Sequence, residues 1–234
     1  MSNQIKECAA NFENLLDKEY NIVLGKKGVT YDITLNFTEY EFKHLAGLHY
    51  LTDIEGVAGD SSKRVFDSIV NGSITDDTLK NSRFYGDICA RIESLSKLES
   101  ILDSVSTSYY FKYDENKSRH SRITADFIIK EGKEEIGFSA VFIEKNKGAE
   151  NYYCKSIYPI EKYDPTILQS QLTLLYKEKS NVVTQERDVL YIHKNFASPT
   201  KKQPSLDALL GRAEDKLQTT AKDDQIKDGG EPER

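Results

Sequence analysis

The sequence predicts an α+β fold, with N-terminal helices packed on a mostly antiparallel sheet of four or more strands. Three observations carry this expectation. Apolar residues recur at helical spacing through the N-terminal part, as at Ile88, Ile92, Leu95, Leu98 and Leu102. After Ser104, aromatic and β-branched runs replace that spacing. The runs are separated by Asp114-Glu115-Asn116, Glu131-Gly132-Lys133 and Asn146-Lys147-Gly148, which suit hairpin turns.

In order along the chain, Ile5, Cys8, Ala9, Phe12, Leu15 and Leu16 lie three and four apart and predict a helix within residues 2–19. Residues 20–24 and 29–37 read as strands joined by Gly25-Lys26-Lys27-Gly28, whose glycines can take the positive φ of a hairpin. Thr38 and Glu41 have capping-box spacing, and Phe37 and Phe42 stand where a hydrophobic staple would, so a helix starts at Glu39. Its apolar pattern extends it to about residue 53. Residues 61–70 form a short helix ended by Asn71-Gly72, Thr75 caps another turn, and residues 85–103 form one long helix. Strands follow at 108–113, 122–130, 136–145 and 152–158 as an antiparallel meander. Pro159 and Pro165 bracket an irregular crossover, residues 168–175 read as either helix or strand, and residues 188–193 form a last strand. The domain is expected to span 1–195. The tail, 196–234, carries one short helix at 205–217 and is otherwise charged and disordered.

Composition limits the function classes. Of the 234 residues 38% are hydrophobic and 30% charged, enough for one sizeable core. Cys8, Cys89 and Cys154 are odd in number and scattered, which points to a reducing, cytoplasmic setting rather than a disulfide framework. No apolar run approaches the roughly 18 residues of a membrane span, and Lys6 and Glu7 interrupt the place of a signal peptide's apolar region. A soluble protein with no membrane partner is expected. The net charge of -6 argues against bulk attraction to nucleic acid. Locally, Lys117, Arg119 and Arg122 form a cationic cluster that is either a solvated loop or a substrate-binding patch.

His44 is the most informative residue. It shares an extended helical stripe with Leu48 and Leu51, so it is expected at or near the buried face, as packing or as chemistry. An unperturbed imidazole titrates near neutrality and can both take and give a proton. His44 and His49 are five apart and should point in different directions, unlike a zinc-binding pair. Arg91 lies on the edge of the apolar stripe and needs a carboxylate or a phosphate. Ser121 shares strand parity with Ile123, Ala125 and Phe127, and Ser156 with Tyr152, Cys154 and Tyr158, so both hydroxyls can face one surface. Lys155 has the opposite parity, and only a β-bulge would bring it alongside Ser156. No P-loop, G-x-S-x-G elbow or zinc-spaced cluster is present, so no metal or cofactor is expected. Asp76-Asp77 and Glu134-Glu135 read as a helix start and a turn.

The runs Tyr31-Asp32-Ile33-Thr34-Leu35-Asn36-Phe37, Phe42-Lys43-His44-Leu45-Ala46-Gly47-Leu48, Arg91-Ile92, 121–127 and Tyr152-Tyr153-Cys154-Lys155-Ser156-Ile157 resemble the phage-borne branch of the barnase, EndoU, colicin and RelE-like nuclease superfamily. The resemblance covers roughly residues 15–193, and F-x-H-L-x-G-L is its most specific piece. Pro204-Ser205-Leu206-Asp207 is similar to runs in tails of proteins from phages and conjugative elements of Gram-positive bacteria. The resemblance implies an α+β nuclease that cleaves RNA, a tRNA or an mRNA, without metal, through 2′-hydroxyl attack to a cyclic phosphate. His44 would be the acid or base, Arg91 would stabilise the added negative charge, and Ser121 and Ser156 would hydrogen-bond the phosphate or base. Such a protein would act as a toxin-like effector between mobile elements and hosts, with an inhibitor or partner engaged through the tail. Two alternatives stand beside it: a non-enzymatic module, degenerate or an acidic mimic, that binds a host or rival protein, and a DNA-binding protein with steeply salt-dependent affinity.

Overall fold

The computed structural model describes residues 3–118, 123–134 and 137–196; the expectations for Arg119, Ser121, Arg122, the 205–217 helix and the rest of the tail fall outside them. Helix α1 (Gln4–Glu13) buries Ile5, Cys8, Ala9 and Phe12 along one face. It is shorter than its apolar pattern suggests, because Leu15 is buried from a turn that leads directly into strand β1 (Lys18–Lys26). Strand β2 (Val29–Leu35) pairs back on β1. Their link is a two-residue turn, with Lys27 and Gly28 at φ 49° and 81°, and Gly25 stays inside β1. That geometry matches the twist of paired strands.

Helix α2 (Glu39–Leu45) starts where expected but ends eight residues early. The Thr38 hydroxyl donates to the Glu41 carboxylate at 3.1 Å instead of accepting from the backbone, so the capping box is not formed in its usual sense. Phe37 and Phe42 are buried, and each packs on Phe12, at 6.3 and 5.5 Å between ring centroids. Phe66, from helix α3 (Ser62–Val70), completes this aromatic cluster. Each such ring buries enough surface that truncation to alanine costs about 3–5 kcal/mol. Thr75 caps the short helix α4 (Asp76–Leu79), and the Asp76 carboxylate accepts from the backbone N–H groups of Gln4 and Ile5, capping α1. The expected long helix is two, α5 (Tyr85–Ser96) and α6 (Leu98–Asp103), with a break at Lys97, while its stripe of Ile88, Ile92, Leu95, Leu98 and Leu102 is buried throughout.

Strands β3 (Ser108–Lys112), β4 (Phe127–Lys133), β5 (Gly137–Lys145) and β6 (Tyr152–Ile160) form the antiparallel meander. Pro159 lies inside β6, opposite Ser139, rather than opening a crossover. The ambiguous stretch belongs to a long strand, β7 (Ser170–Asn181), and β8 (Arg187–Ile192) closes the order. The eight strands run β1-β2-β6-β5-β4-β3-β7-β8, and β1 also pairs with β7, so the pairings return on themselves. All pairs are antiparallel except β2 with β6, which meet only at Leu35 and Tyr152.

The main core joins helices α1 to α6 to one face of the strands. A smaller cluster of Tyr113, Ile128, Ala140 and Phe142 lies on the other face, so β4 and β5 are covered on both sides. Ile123 and Ala125 pack with this second cluster and Phe127 with the first. The parity used to group Ser121 with all three therefore fails, because strand β4 begins only at Phe127. Lys177 is fully buried on β7 and donates to the Ser104 carbonyl at 2.7 Å and the Tyr110 hydroxyl at 3.1 Å; burial pulls its pKa down to about 8. No described helix is long and apolar enough to cross a membrane.

Candidate nuclease site at the end of the second helix

Gly47 decides the geometry of this region. It sits at φ 77°, a left-handed conformation that costs glycine little and other residues more, and there the chain leaves α2 for a 3-10 turn, Leu48–Tyr50. A Cβ at this position would come within 2.9 Å of Arg91 Cδ and 3.0 Å of Ile88 Cγ2. The glycine therefore also lets α5 approach closely enough to bring Arg91 over the turn.

Because α2 stops at Leu45, His44 does not continue a stripe with Leu48 and Leu51. Those leucines are buried, whereas His44 is exposed. Its neighbour Lys43 is the buried one, 9% exposed, and donates to the Asp60 carbonyl at 2.8 Å. The left-handed step also overturns the expectation that His44 and His49 diverge. Their rings stack at 4.4 Å between centroids with 18° between planes, and Tyr50 lies 4.0 Å beyond His49. Arg91 Cζ stands 5.5 Å from the centre of the Tyr50 ring. Arg91 has no ion pair among the described residues, and its buried Nη1 has no hydrogen-bond partner, nor does His49 Nδ1. The expected salt bridge to Arg91 is thus not formed.

A second group arrives from the sheet. The register between β5 and β6 shifts so that Phe142 faces Ser156 and Ile143 faces Cys154, which leaves Lys155 as the extra residue of a β-bulge. Ser156, opposite Phe142, is 2% exposed. Lys155 Nζ pairs with Glu144 Oε2 at 2.9 Å and donates to the Tyr153 hydroxyl at 3.2 Å. Tyr153 in turn donates to Glu144, whose other oxygen accepts from Thr124 at 3.0 Å. This network holds the lysine charged and in place.

The electrostatics join the two groups. The protein packed around His44, then Arg91, then Lys155, hold its pKa below that of a free imidazole, although one edge of the ring meets solvent. His49 is pushed down to about 4 by burial first, then by His44 and Arg91, against the opposing pull of the Lys43 carbonyl. Both imidazoles are neutral near pH 7. On the same helix as His44, burial raises the Glu41 carboxyl to about 7, and its Oε2 is buried without a partner. The arrangement offers a neutral base in reach of solvent that feels the charge of two cations. Among the described residues no group of three or more His, Cys, Asp or Glu side chains is assembled to hold a metal ion.

Of the sequence-predicted residues, the fold brings His44 and Arg91 together. It buries Ser156 beside Lys155. It places Lys117 on a separate 3-10 turn, paired with Asp114 at 3.3 Å. The sequence reading set His49 aside as diverging from His44, admitted Lys155 only through a β-bulge, which is present, and missed Tyr50, Tyr153 and Glu144. The available signal was Gly47 followed by Leu48-His49-Tyr50, since a glycine able to turn the chain cancels helical spacing beyond it.

This geometry sits within a recognised family. A family model for the phage-Barnase-EndoU-ColicinE5/D-RelE like nuclease4 family matches residues 4–194, and the chain belongs to that family. Its function is accordingly nuclease-like and of a phage-type family. No curated protein and no solved structure matches the chain.

Proposed function

We propose that the protein is an endoribonuclease that cleaves RNA through attack of the ribose 2′-hydroxyl on the adjacent phosphorus, leaving a 2′,3′-cyclic phosphate. The observation that carries this reading is the solvent-facing His44 imidazole, stacked on His49 and within the electrostatic reach of two cations, Arg91 and Lys155. Neutral His44 takes the 2′-hydroxyl proton as the oxygen–phosphorus bond forms. Arg91, which makes no ion pair among the described residues and lines the adjoining cleft, and Lys155 hold the phosphate as its charge rises. The imidazolium at position 44, made acidic by its surroundings, then delivers the proton to the departing 5′-oxygen. Every one of these steps uses the chain's own side chains.

The reading extends to a toxin-like effector carried by a phage or mobile element, acting on tRNA or mRNA in the cytoplasm, with Arg119, Ser121, Arg122 and Lys117 as further contacts to substrate. Digestion of RNA by the full chain in EDTA, with end-group analysis, tests the central claim. Cyclic phosphate ends that disappear with His44→Ala support it; intact RNA overturns it. A net charge of -6 favours the second reading, a non-enzymatic module on this fold that binds a host or rival protein. Under that reading purified protein leaves RNA intact and retains a protein partner in a pull-down, which deletion of residues 205–234 weakens.

A further inference from the structure

Next to the stacked histidines a cleft of about 540 Å³ is lined by His49, Tyr50, Thr52, Phe84, Asp87 and Arg91. From this cleft we infer a base-recognition subsite for guanine, an inference that rests on the ribonuclease reading and specifies its substrate. Arg91 and His49 belong both to the cleft and to the group around His44. A nucleotide whose phosphate meets Arg91 therefore has its base within reach of the cleft.

The walls suit a base. Tyr50 is 44% exposed, Phe84 is half-buried, and Arg83 lies over the Phe84 ring at 4.7 Å. Aromatic faces with an accompanying guanidinium are the usual platform for an unstacked base. Asp53 keeps the walls together, because its carboxylate accepts from the Ser82 hydroxyl at 2.5 Å and the Arg83 N–H at 3.1 Å, tying the loop after the 3-10 turn to the start of α5.

Asp87 supplies the selectivity. It is exposed in the first turn of α5, and among the described residues its carboxylate makes no hydrogen bond or ion pair, even with Arg91 one turn further on. A carboxylate only accepts. Guanine presents two adjacent donors, N1–H and N2–H, that match its two oxygens. Uracil offers a single N–H between two acceptors, and adenine and cytosine each set a ring lone pair beside their amino group, so all three lose a contact or meet repulsion. The exposed Thr52 hydroxyl is a donor available to the guanine O6.

The test has two arms. In the first, the four nucleoside 3′-monophosphates are titrated into the full chain and into Asp87→Asn. Guanosine 3′-monophosphate should bind about tenfold more tightly than the others, and the variant should lose that preference. Equal binding of all four, or a preference kept by Asp87→Asn, overturns the subsite. In the second, cleavage sites are mapped on a mixed-sequence RNA. Cuts following guanosine support the inference, while cuts without base preference overturn it and leave the ribonuclease reading standing. Guanosine-selective binding with no cleavage supports the subsite and removes the ribonuclease reading instead.

Discussion

The His44 and His49 imidazoles lie nearly parallel, 4.4 Å apart, although five residues separate them on a chain whose helix ends at Leu45. Two rings so close cannot readily both be protonated, and His49 is the one pushed down to about 4. His49 thus remains a neutral partner that orients His44, and His44 is left to exchange protons. His44→Ala should reduce RNA cleavage by about a hundredfold or more. Because the ring is exposed, unfolding stability in urea should change by no more than about 0.5 kcal/mol. A large loss of stability with the activity would identify a packing residue.

Burial, and after it the charges of Arg91 and Lys155, set the titration of His44. Adding a proton to the ring charges a partly desolvated group and sets it against the charges of Arg91 and Lys155, so its pKa lies below 6.5 and the acid limb of kcat/KM should fall below pH 6.5. In Arg91→Gln or Lys155→Met one repulsion is gone. The His44 pKa, followed by NMR, should rise in each variant and the acid limb should move to higher pH. An unchanged titration would separate these cations from the histidine.

Histidine burial also acts on stability. A base whose folded pKa is depressed stabilises the fold above its unfolded pKa and ceases to do so as pH falls through the folded value. His49 should therefore make the protein progressively less stable between pH 6.5 and about 4. His49→Phe should flatten that part of the stability profile measured by denaturant titration.

Glu41 has the opposite sign. Its carboxyl is raised from 4.5 to about 7 by burial, so its contribution is fully present below pH 4.5 and is lost as pH rises to about 7. Glu41→Gln should be about 2 kcal/mol more stable than the wild type at pH 8 and no more stable at pH 4. Equal stability of the two proteins at pH 8 would mean that the buried carboxylate finds a partner.

Gly47 and Gly28 have similar positive φ angles, 77° and 81°, but differ in surroundings. Nothing lies within 4 Å of a Cβ at Gly28, whereas Arg91 Cδ and Ile88 Cγ2 lie within 3.0 Å of one at Gly47. Gly28→Ala should cost only the left-handed penalty, about 1–2 kcal/mol. Gly47→Ala should cost at least about 1 kcal/mol more and, by displacing Arg91, lower cleavage as well. Equal effects would show that α5 yields without cost.

How far the sequence was legible depends on the range of the interaction involved. Helix onset at Glu39 was readable because the residues that define it, from Phe37 to Phe42, are neighbours in the chain. Its end was not, because Gly47 is allowed inside a helix, and only the closeness of Arg91 and Ile88 shows why this position has no side chain. The buried stripe from Ile88 to Leu102 was read correctly, but not the break at Lys97. At Lys155, strand parity failed because a bulge exists only between two paired strands, and its position depends on β5. His44 and Arg91 were found by residue type. Asp87 and the Tyr153 and Glu144 partners of Lys155 have no local signature.

Taken alone, the order of residues determined the α+β class, the helices that precede the meander and the apolar faces that make the core, since each follows from spacing along one element. Tertiary structure alone decided that His44 faces solvent, that His49 stacks on it and that the charges of Arg91 and Lys155 bear on it. The physical reason is that a side chain's charge environment is set by whatever packs near it in space. Here that neighbourhood comes from a left-handed glycine and a one-residue register shift, small local events whose effect appears only when distant segments meet.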